Sequence, residues 1–201
     1  MTIYRMNCKG FLLLWAMGWP GTAAQVQEPA TKQGGAIQVA VGVGFHEGKA
    51  EQGLGLQYAL GYQLGLGSTA RWRLNPKLMY GEFSSGAITD TPDQFYRTTS
   101  AGLMLHYDVV RYRAVALTVA GGAFVTYSRG LLGTGGELQS PTQGSRYFHQ
   151  LYGSVGGSVG FRVSPAKSRL AYEFHPIAIQ SGSRGFLLVQ AMLGLAVQLR
   201  K

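Results

Sequence analysis

Between Leu54 and Leu66 every second residue is large and apolar: Leu54, Leu56, Tyr58, Leu60, Tyr62, Leu64 and Leu66. The positions between them hold Gly55, Gln57, Ala59, Gly61, Gln63 and Gly65. Successive side chains on a strand point to opposite faces, so the stretch predicts one strand with a bulky face and a small one. A strand at the surface of a water-soluble sandwich would carry Lys, Glu and Thr where this one carries Gly, Ala and Gln. Large side chains turned toward lipid, with small ones crowding a narrow interior, account for the contrast.

The period of two recurs along the chain. A first strand sets Ile37, Val39, Val41, Val43 and Phe45 against Gln38, Ala40, Gly42, Gly44 and His46. The third, Arg71 to Phe83, sets Trp72, Leu74, Leu78 and Tyr80 against Arg71, Arg73, Asn75, Lys77 and Met79, and Pro76 within it predicts a kink or bulge. The fourth alternates from Thr98 to Val109 and the fifth from Ala114 to Tyr127. The sixth ends near Val163, the seventh covers Leu170 to His175, and the eighth runs from Leu187 to the C-terminus. Eight is an even number, as bacterial single-chain outer-membrane barrels require.

Volume decides which face points out. The apolar faces hold roughly forty large side chains, whereas the interior of an eight-stranded barrel is just wide enough for modest filling. The Gly, Ala, Ser and Gln set fits inside; the Leu, Val and Tyr set does not. Closure also satisfies every backbone group without water, which hydrocarbon demands. The fold predicted for residues 36–201 is therefore all-β: an eight-stranded, antiparallel, up-and-down transmembrane β-barrel. Connections at 67–70, 110–113 and 164–168 are short, and those at 84–97 and 128–146 are long, matching periplasmic turns and outer loops respectively. Trp72, Tyr107, Phe161 and Tyr172 would form an inner aromatic girdle, with Tyr80, Tyr127 and Tyr147 an outer one.

Composition agrees with this picture. Glycine accounts for 30 of 201 residues and charged residues for 13%, against about one-quarter charged in an ordinary soluble domain. No apolar run reaches the roughly eighteen residues of a spanning helix, so any crossing must use strands. Residues 1–24 read as a signal peptide: Arg5 and Lys9, an apolar core from Phe11 to Trp19, then Thr22-Ala23-Ala24 ahead of the cleavage point. Residues 25–35 form a flexible periplasmic lead-in. The one cysteine, Cys8, lies in the leader, which excludes disulfides and cysteine-bound metal from the mature chain. The formal charge of +9 falls to +7 once Arg5 and Lys9 leave with the leader. The remaining cations are dispersed, without the basic helix or aromatic-basic motif of a nucleic-acid binder.

With its signal peptide, dyad repeats and loop asymmetry, the chain resembles the small eight-stranded outer-membrane barrels of the OmpX and OmpA-transmembrane type. It is also similar to the generic outer-membrane β-barrel families common in Bacteroidota. The resemblance implies a Gram-negative outer membrane, contact with its lipid including lipopolysaccharide, and handling by the barrel-assembly machinery. These families usually end on an aromatic residue. This sequence closes with Val197-Gln-Leu-Arg-Lys201 and keeps the alternation on Leu193, Leu195, Val197 and Leu199.

Ionisable residues of inward parity gather toward the periplasmic end: Arg71, Arg73, His106, Asp108, Arg162, Glu173 and His175. Buried charges are costly unless paired. The expectation is a network in which Arg71, Arg73 and Arg162 face Asp108 and Glu173 and plug the lumen. Catalysis would need a nucleophile near His175 and Glu173, and Ser181 and Ser183 are the nearest in sequence, with His149 and Glu82 of outward parity near the outer rim. The four histidines 46, 106, 149 and 175 come from different strands without metal-ligand spacing, and the Gly130–Gly136 stretch lacks the Gly-Lys-Ser/Thr ending of a phosphate loop. The functional expectation is a non-enzymatic structural or surface-interaction role through loops 84–97 and 128–146, without cofactor or metal. The alternatives are a narrow channel for a small or apolar solute and a lipid A-modifying enzyme.

Overall fold

The structure, a computed structural model, describes residues 34–67, 71–85, 94–133, 145–165 and 168–199. The predicted leader and most of the lead-in lie outside them. Eight strands follow in order: β1 (Ala36–Glu47), β2 (Gln52–Leu66), β3 (Trp72–Ser84), β4 (Gln94–Tyr112), β5 (Val115–Gly133), β6 (Ser145–Val163), β7 (Leu170–Gly182) and β8 (Leu187–Gln198). Each pairs antiparallel with its sequence neighbours, and β8 closes on β1. Gly34 and Gly35 extend that seam, because Leu199 N donates to the Gly35 carbonyl at 2.8 Å.

Stepping across the ladders from Leu64 passes Leu74, Leu105, Gly121, Gly157, Ile179, Val189 and Phe45. The path re-enters β2 at Leu54, ten residues from where it left. With eight strands, that stagger tilts each strand by about 40° to the barrel axis.

The bulky face of every strand points outward. Leu56, Leu60 and Leu78 are 50%, 52% and 58% exposed, while Gly61 and Gln63 are buried. So wide an apolar exterior is many times what a water-soluble monomer shows, and it is the surface that hydrocarbon requires. Trp72, Phe161, Tyr172, Tyr127 and Tyr147 stand exposed on this exterior, with Tyr80 and Tyr107 partly covered. Trp72 and Tyr107 form a cross-strand pair, their ring centroids 4.5 Å apart.

Several expected boundaries shift. Gln94–Arg97 belong to β4, Ser128–Gly133 to β5 and Ser145–Arg146 to β6, so the connections there span only 85–93 and 134–144, outside the described residues apart from Ser85. In these strand ends the outward positions turn polar at Arg97, Arg129 and His149, interrupting an alternation that the exposed Phe95, Leu131 and Tyr147 then resume as the ladder continues. At the other end β4 continues through Tyr112, leaving Arg113 and Ala114 as the turn, with Arg113 at φ 53°.

Pro76 makes no bulge. Its pairing with β4 is continuous, and the β2 ladder, interrupted opposite Asn75 and Pro76, resumes at Leu64↔Leu74 in the same register. A strand residue directs its N–H and C=O to one side, so a proline costs only the ladder it faces. The bulge sits at Pro176 instead. Both neighbours of β7 show it, β6 between Val159 and Phe161 and β8 opposite the step from His175 to Ala178.

The interior is bulkier than the small-residue pattern suggests. At the end that carries the long connections, Phe83, Tyr96, Phe148, Tyr152, Phe186 and Leu188 form one buried cluster. A second layer holds Met79, Met104, Met192, Phe124 and Ala59. Lumenal glycines are the sockets for these side chains. A Cβ on Gly102 would lie 2.1 Å from the Phe124 ring, and one on Gly81 would lie 2.5 Å from Phe83. Gly102→Leu is expected to destabilise the barrel by about 1–3 kcal/mol. Adding Phe124→Ala should restore part of that loss in urea titrations. Additive effects would show that the socket is not where the strain arises.

Candidate functional site: the lumenal charge network

The lower half of the lumen is built around Arg73, 5% exposed, on β3. Its Nη2 lies 2.6 Å from Asp108 Oδ1 of β4, and its Nη1 lies 3.0 Å from Glu173 Oε1 of β7. One guanidinium thus spans the barrel between two carboxylates, a geometry that a planar fork of donors provides and a lysine does not. Glu173 also accepts hydrogen bonds from Gln63 Nε2 at 2.9 Å and from Gln38 Nε2. Asn75 Nδ2 in turn donates to Gln38 Oε1 at 2.6 Å. Asp108 Oδ1 accepts from Thr118 Oγ1 at 2.9 Å. Each carboxylate therefore has charged and neutral donors, the condition under which buried charge is tolerated.

Arg162 stands directly opposite Glu173 in the β6–β7 ladder, its Nε 3.7 Å from Oε1. His175 Nε2 lies 3.8 Å from Glu173 Oε2. His106 pairs with Arg73 across β3–β4, and its ring centroid is 6.0 Å from that of His175. Arg71 behaves differently from the expectation. It precedes β3 and joins through its backbone, its carbonyl accepting from Asp108 N at 3.0 Å, and its side chain makes none of the contacts above.

Parity alone missed one contributor, Arg111. The β4–β5 register slips between Asp108 and Val110, adding Val109 to β4, so that Arg111 pairs with the inward Ala116. Without that bulge its odd number would put it outside with Leu103 and Leu105. With it, Arg111 Nε and Nη2 reach Asp108 Oδ2 at 2.9 and 2.8 Å. A one-residue slip re-aims every later side chain, and no local signal marks this one. Gln38, Gln63, Asn75 and Thr118 were readable as inward residues, but their partners depend on the closed register.

Room for the network comes from glycine. A Cβ on Gly61 would lie 2.4 Å from Asn75 Oδ1, and one on Gly160 would lie 2.6 Å from His175 Nδ1. Ala36, Ala171 and Ala196 floor the network. Between it and the methionine layer lies a small cavity of about 20 Å³, whose polar lining is Lys77, His106, Ser158, His175, Gln180 and Gln190. That space holds about one water molecule.

The outer cluster encloses a second polar group. His46 is surrounded by Phe83, Tyr96, Tyr152 and Phe186, and its Nδ1 lies 3.0 Å from Tyr96 Oη. Tyr152 Oη donates to the buried Glu51 at 2.9 Å and accepts from Lys49 N at 3.1 Å. Ser181 and Ser183 do not approach His175. Ser181 is exposed on the upper part of β7, and Ser183 Oγ in the β7–β8 turn accepts from Gly153 N. Glu82 and His149 lie on the exterior near the outer rim, Glu82 3.3 Å from Arg97 Nε.

Closed topology, an apolar exterior and an ion-paired interior together define a small eight-stranded β-barrel of the outer-membrane type. No protein-family profile and no curated protein sequence matches the chain. Among solved structures it is similar to neisserial surface protein A, at 11% identity and a TM-score of 0.58 over 82% of this chain and 97% of that one. It is similar to Ail, the attachment invasion locus protein of Yersinia pestis, at 11% identity and 0.54 over 84% and 100%. A major outer membrane protein from Thermus thermophilus matches at 14% identity and 0.51 over 82% and 99%. What these chains share with this one is the fold.

Proposed function

We propose that the protein is a non-conducting outer-membrane barrel whose role is exercised at the cell surface, the barrel holding its outer connections in place. The observation that carries this reading is the set of side chains in the lumen: an aromatic cluster, a methionine layer and an ion-paired layer, with a cavity of about 20 Å³ beside the last two. Water and solutes have no wide path through such a stack. The outer cluster also draws one support from beside each outer connection. Glu51 lies at the end of 48–51, Phe83 just before 85–93, Phe148 just after 134–144, and Phe186 next to the turn Ser183–Gly185. Side chains packed this way hold loop bases rigidly, which suits presentation of a binding surface. The neighbours named for surface location and attachment have the same scaffold.

Recording in planar bilayers tests the reading. The folded protein should give no steady conductance, and a large steady one would overturn it. Truncating the core of the stack with Arg73→Ala should raise the frequency of brief openings, because Arg73 alone among the described residues bridges the two carboxylates.

A further inference from the structure

Lys77 lies on the inward face of β3 and is 9% exposed, yet none of the ion pairs among the described residues includes it. Three carboxylates are buried in the lumen. Glu51 belongs to the outer cluster, where Tyr152 donates to it. Asp108 and Glu173 are already shared by Arg73, Arg111 and Arg162. Lys77 therefore adds a fourth cation to a layer in which the described residues supply two anions. A buried ammonium without counter-charge is among the costliest groups a fold can carry.

The cavity of about 20 Å³ beside the methionine layer is lined by Lys77 and by other buried polar groups. Neither ring nitrogen of His106 has a hydrogen-bond partner among the described residues, and the same holds for His175 Nδ1 and for Oε1 of Gln180 and Gln190. A neutral imidazole donates through one nitrogen, and a glutamine amide turned over presents Nε2 in place of Oε1. Gln180 gives up little by turning, since its Nε2 makes only a long contact of 3.8 Å to Met79 Sδ. One ammonium and several neutral donors thus surround a space that holds about one water molecule.

We propose that this cavity binds a single monatomic anion of the halide class, chloride or bromide, against Lys77 Nζ, with hydrogen bonds from His106, His175 and the two glutamine amides. Such an ion is only slightly larger than a water molecule, and it supplies the counter-charge that Lys77 lacks. Phosphate and sulfate are too large for the space. Met79, Met104 and Met192 also line the cavity, and thioethers with imidazoles suit a soft metal cation. A cation there would face Lys77 with no further carboxylate to offset it, so the charge balance favours the anion.

Urea unfolding in lipid vesicles tests the proposal, with chloride exchanged for the bulkier gluconate at constant ionic strength. Because the ion binds the folded barrel and not the unfolded chain, each tenfold rise in free chloride above its dissociation constant should raise the folded-to-unfolded ratio about tenfold. Lys77→Met keeps a long side chain but removes the charge, and this variant should lose the chloride dependence. A heat-modifiable shift in gel mobility establishes that both proteins are folded barrels. Crystals of the wild type grown with sodium bromide give a second measurement that needs no variant: an anomalous-scattering peak is expected beside Lys77 Nζ. No chloride dependence in the wild type would overturn the inference, and so would a dependence that Lys77→Met retains in full, which would mark a general salt effect. A water in place of bromide beside Lys77 would overturn it as well. Stabilisation by silver(I) in gluconate, with chloride inert, would assign the cavity to its thioethers and imidazoles instead and would equally overturn it.

Discussion

Replacing Glu173 by alanine is expected to lower the folding free energy by about 3–5 kcal/mol, the range for removing one partner of a buried ion pair. Glu173 is 2% exposed and receives Arg73, Gln63 and Gln38, with Arg162 3.7 Å away. Its loss strands one arm of Arg73 and two amide donors, all on side chains that are themselves buried. Glu173→Gln keeps the shape and an acceptor oxygen but removes the charge, so it should fall between wild type and alanine. Reversible urea unfolding in lipid vesicles measures the difference. Once the predicted leader is removed, Trp72 is the only tryptophan, and from the inner girdle it reports insertion by its fluorescence. If Glu173→Ala costs less than about 1 kcal/mol, water must already solvate these groups. The lumen would then be hydrated and the non-conducting reading would fail with it.

The parts of this architecture that sequence reveals are those set by strand periodicity. Leu54 to Leu66 shows its two faces without any knowledge of neighbours, because each side chain's direction depends only on the pleat. The inward placement of Arg73, Asp108, Arg162 and Glu173 follows from the same rule. What remained hidden depends on register and on contacts across the barrel. Pro76 and Pro176 look alike in sequence, yet only the second carries a bulge, since the outcome rests on which neighbour loses a hydrogen bond. Arg111 turns inward because Val109 is an inserted residue, a fact visible only from β5. The aromatic cluster was hidden by parity in another way. Phe83, Phe124 and Tyr152 are large residues on the small face, and the glycines beside them lie on other strands, two residues away or, for Tyr152, in the 48–51 connection. Counting small residues identified the interior but not what fills it.

Leu78→Arg offers the sharpest test of which face meets lipid. Leu78 points outward from β3, is 58% exposed, and lies about midway between Trp72 at the inner girdle and Glu82 at the outer rim. On a water-soluble barrel this substitution would exchange an exposed leucine for a solvated cation, with an effect within about 0.5 kcal/mol. In a bilayer it puts a guanidinium near the midplane and should cost about 2–4 kcal/mol. The same change at Ser84, above Glu82 on the same face of β3, should cost less than about 1 kcal/mol, because charge near the interface stays hydrated. The depth dependence carries the argument, since a local packing defect would not vary with distance from the midplane. Urea titrations of both variants in vesicles would show it as separated midpoints with equal slopes. Coincident midpoints for Leu78→Arg and wild type would mean that the apolar exterior does not meet hydrocarbon, and the membrane placement would have to be abandoned.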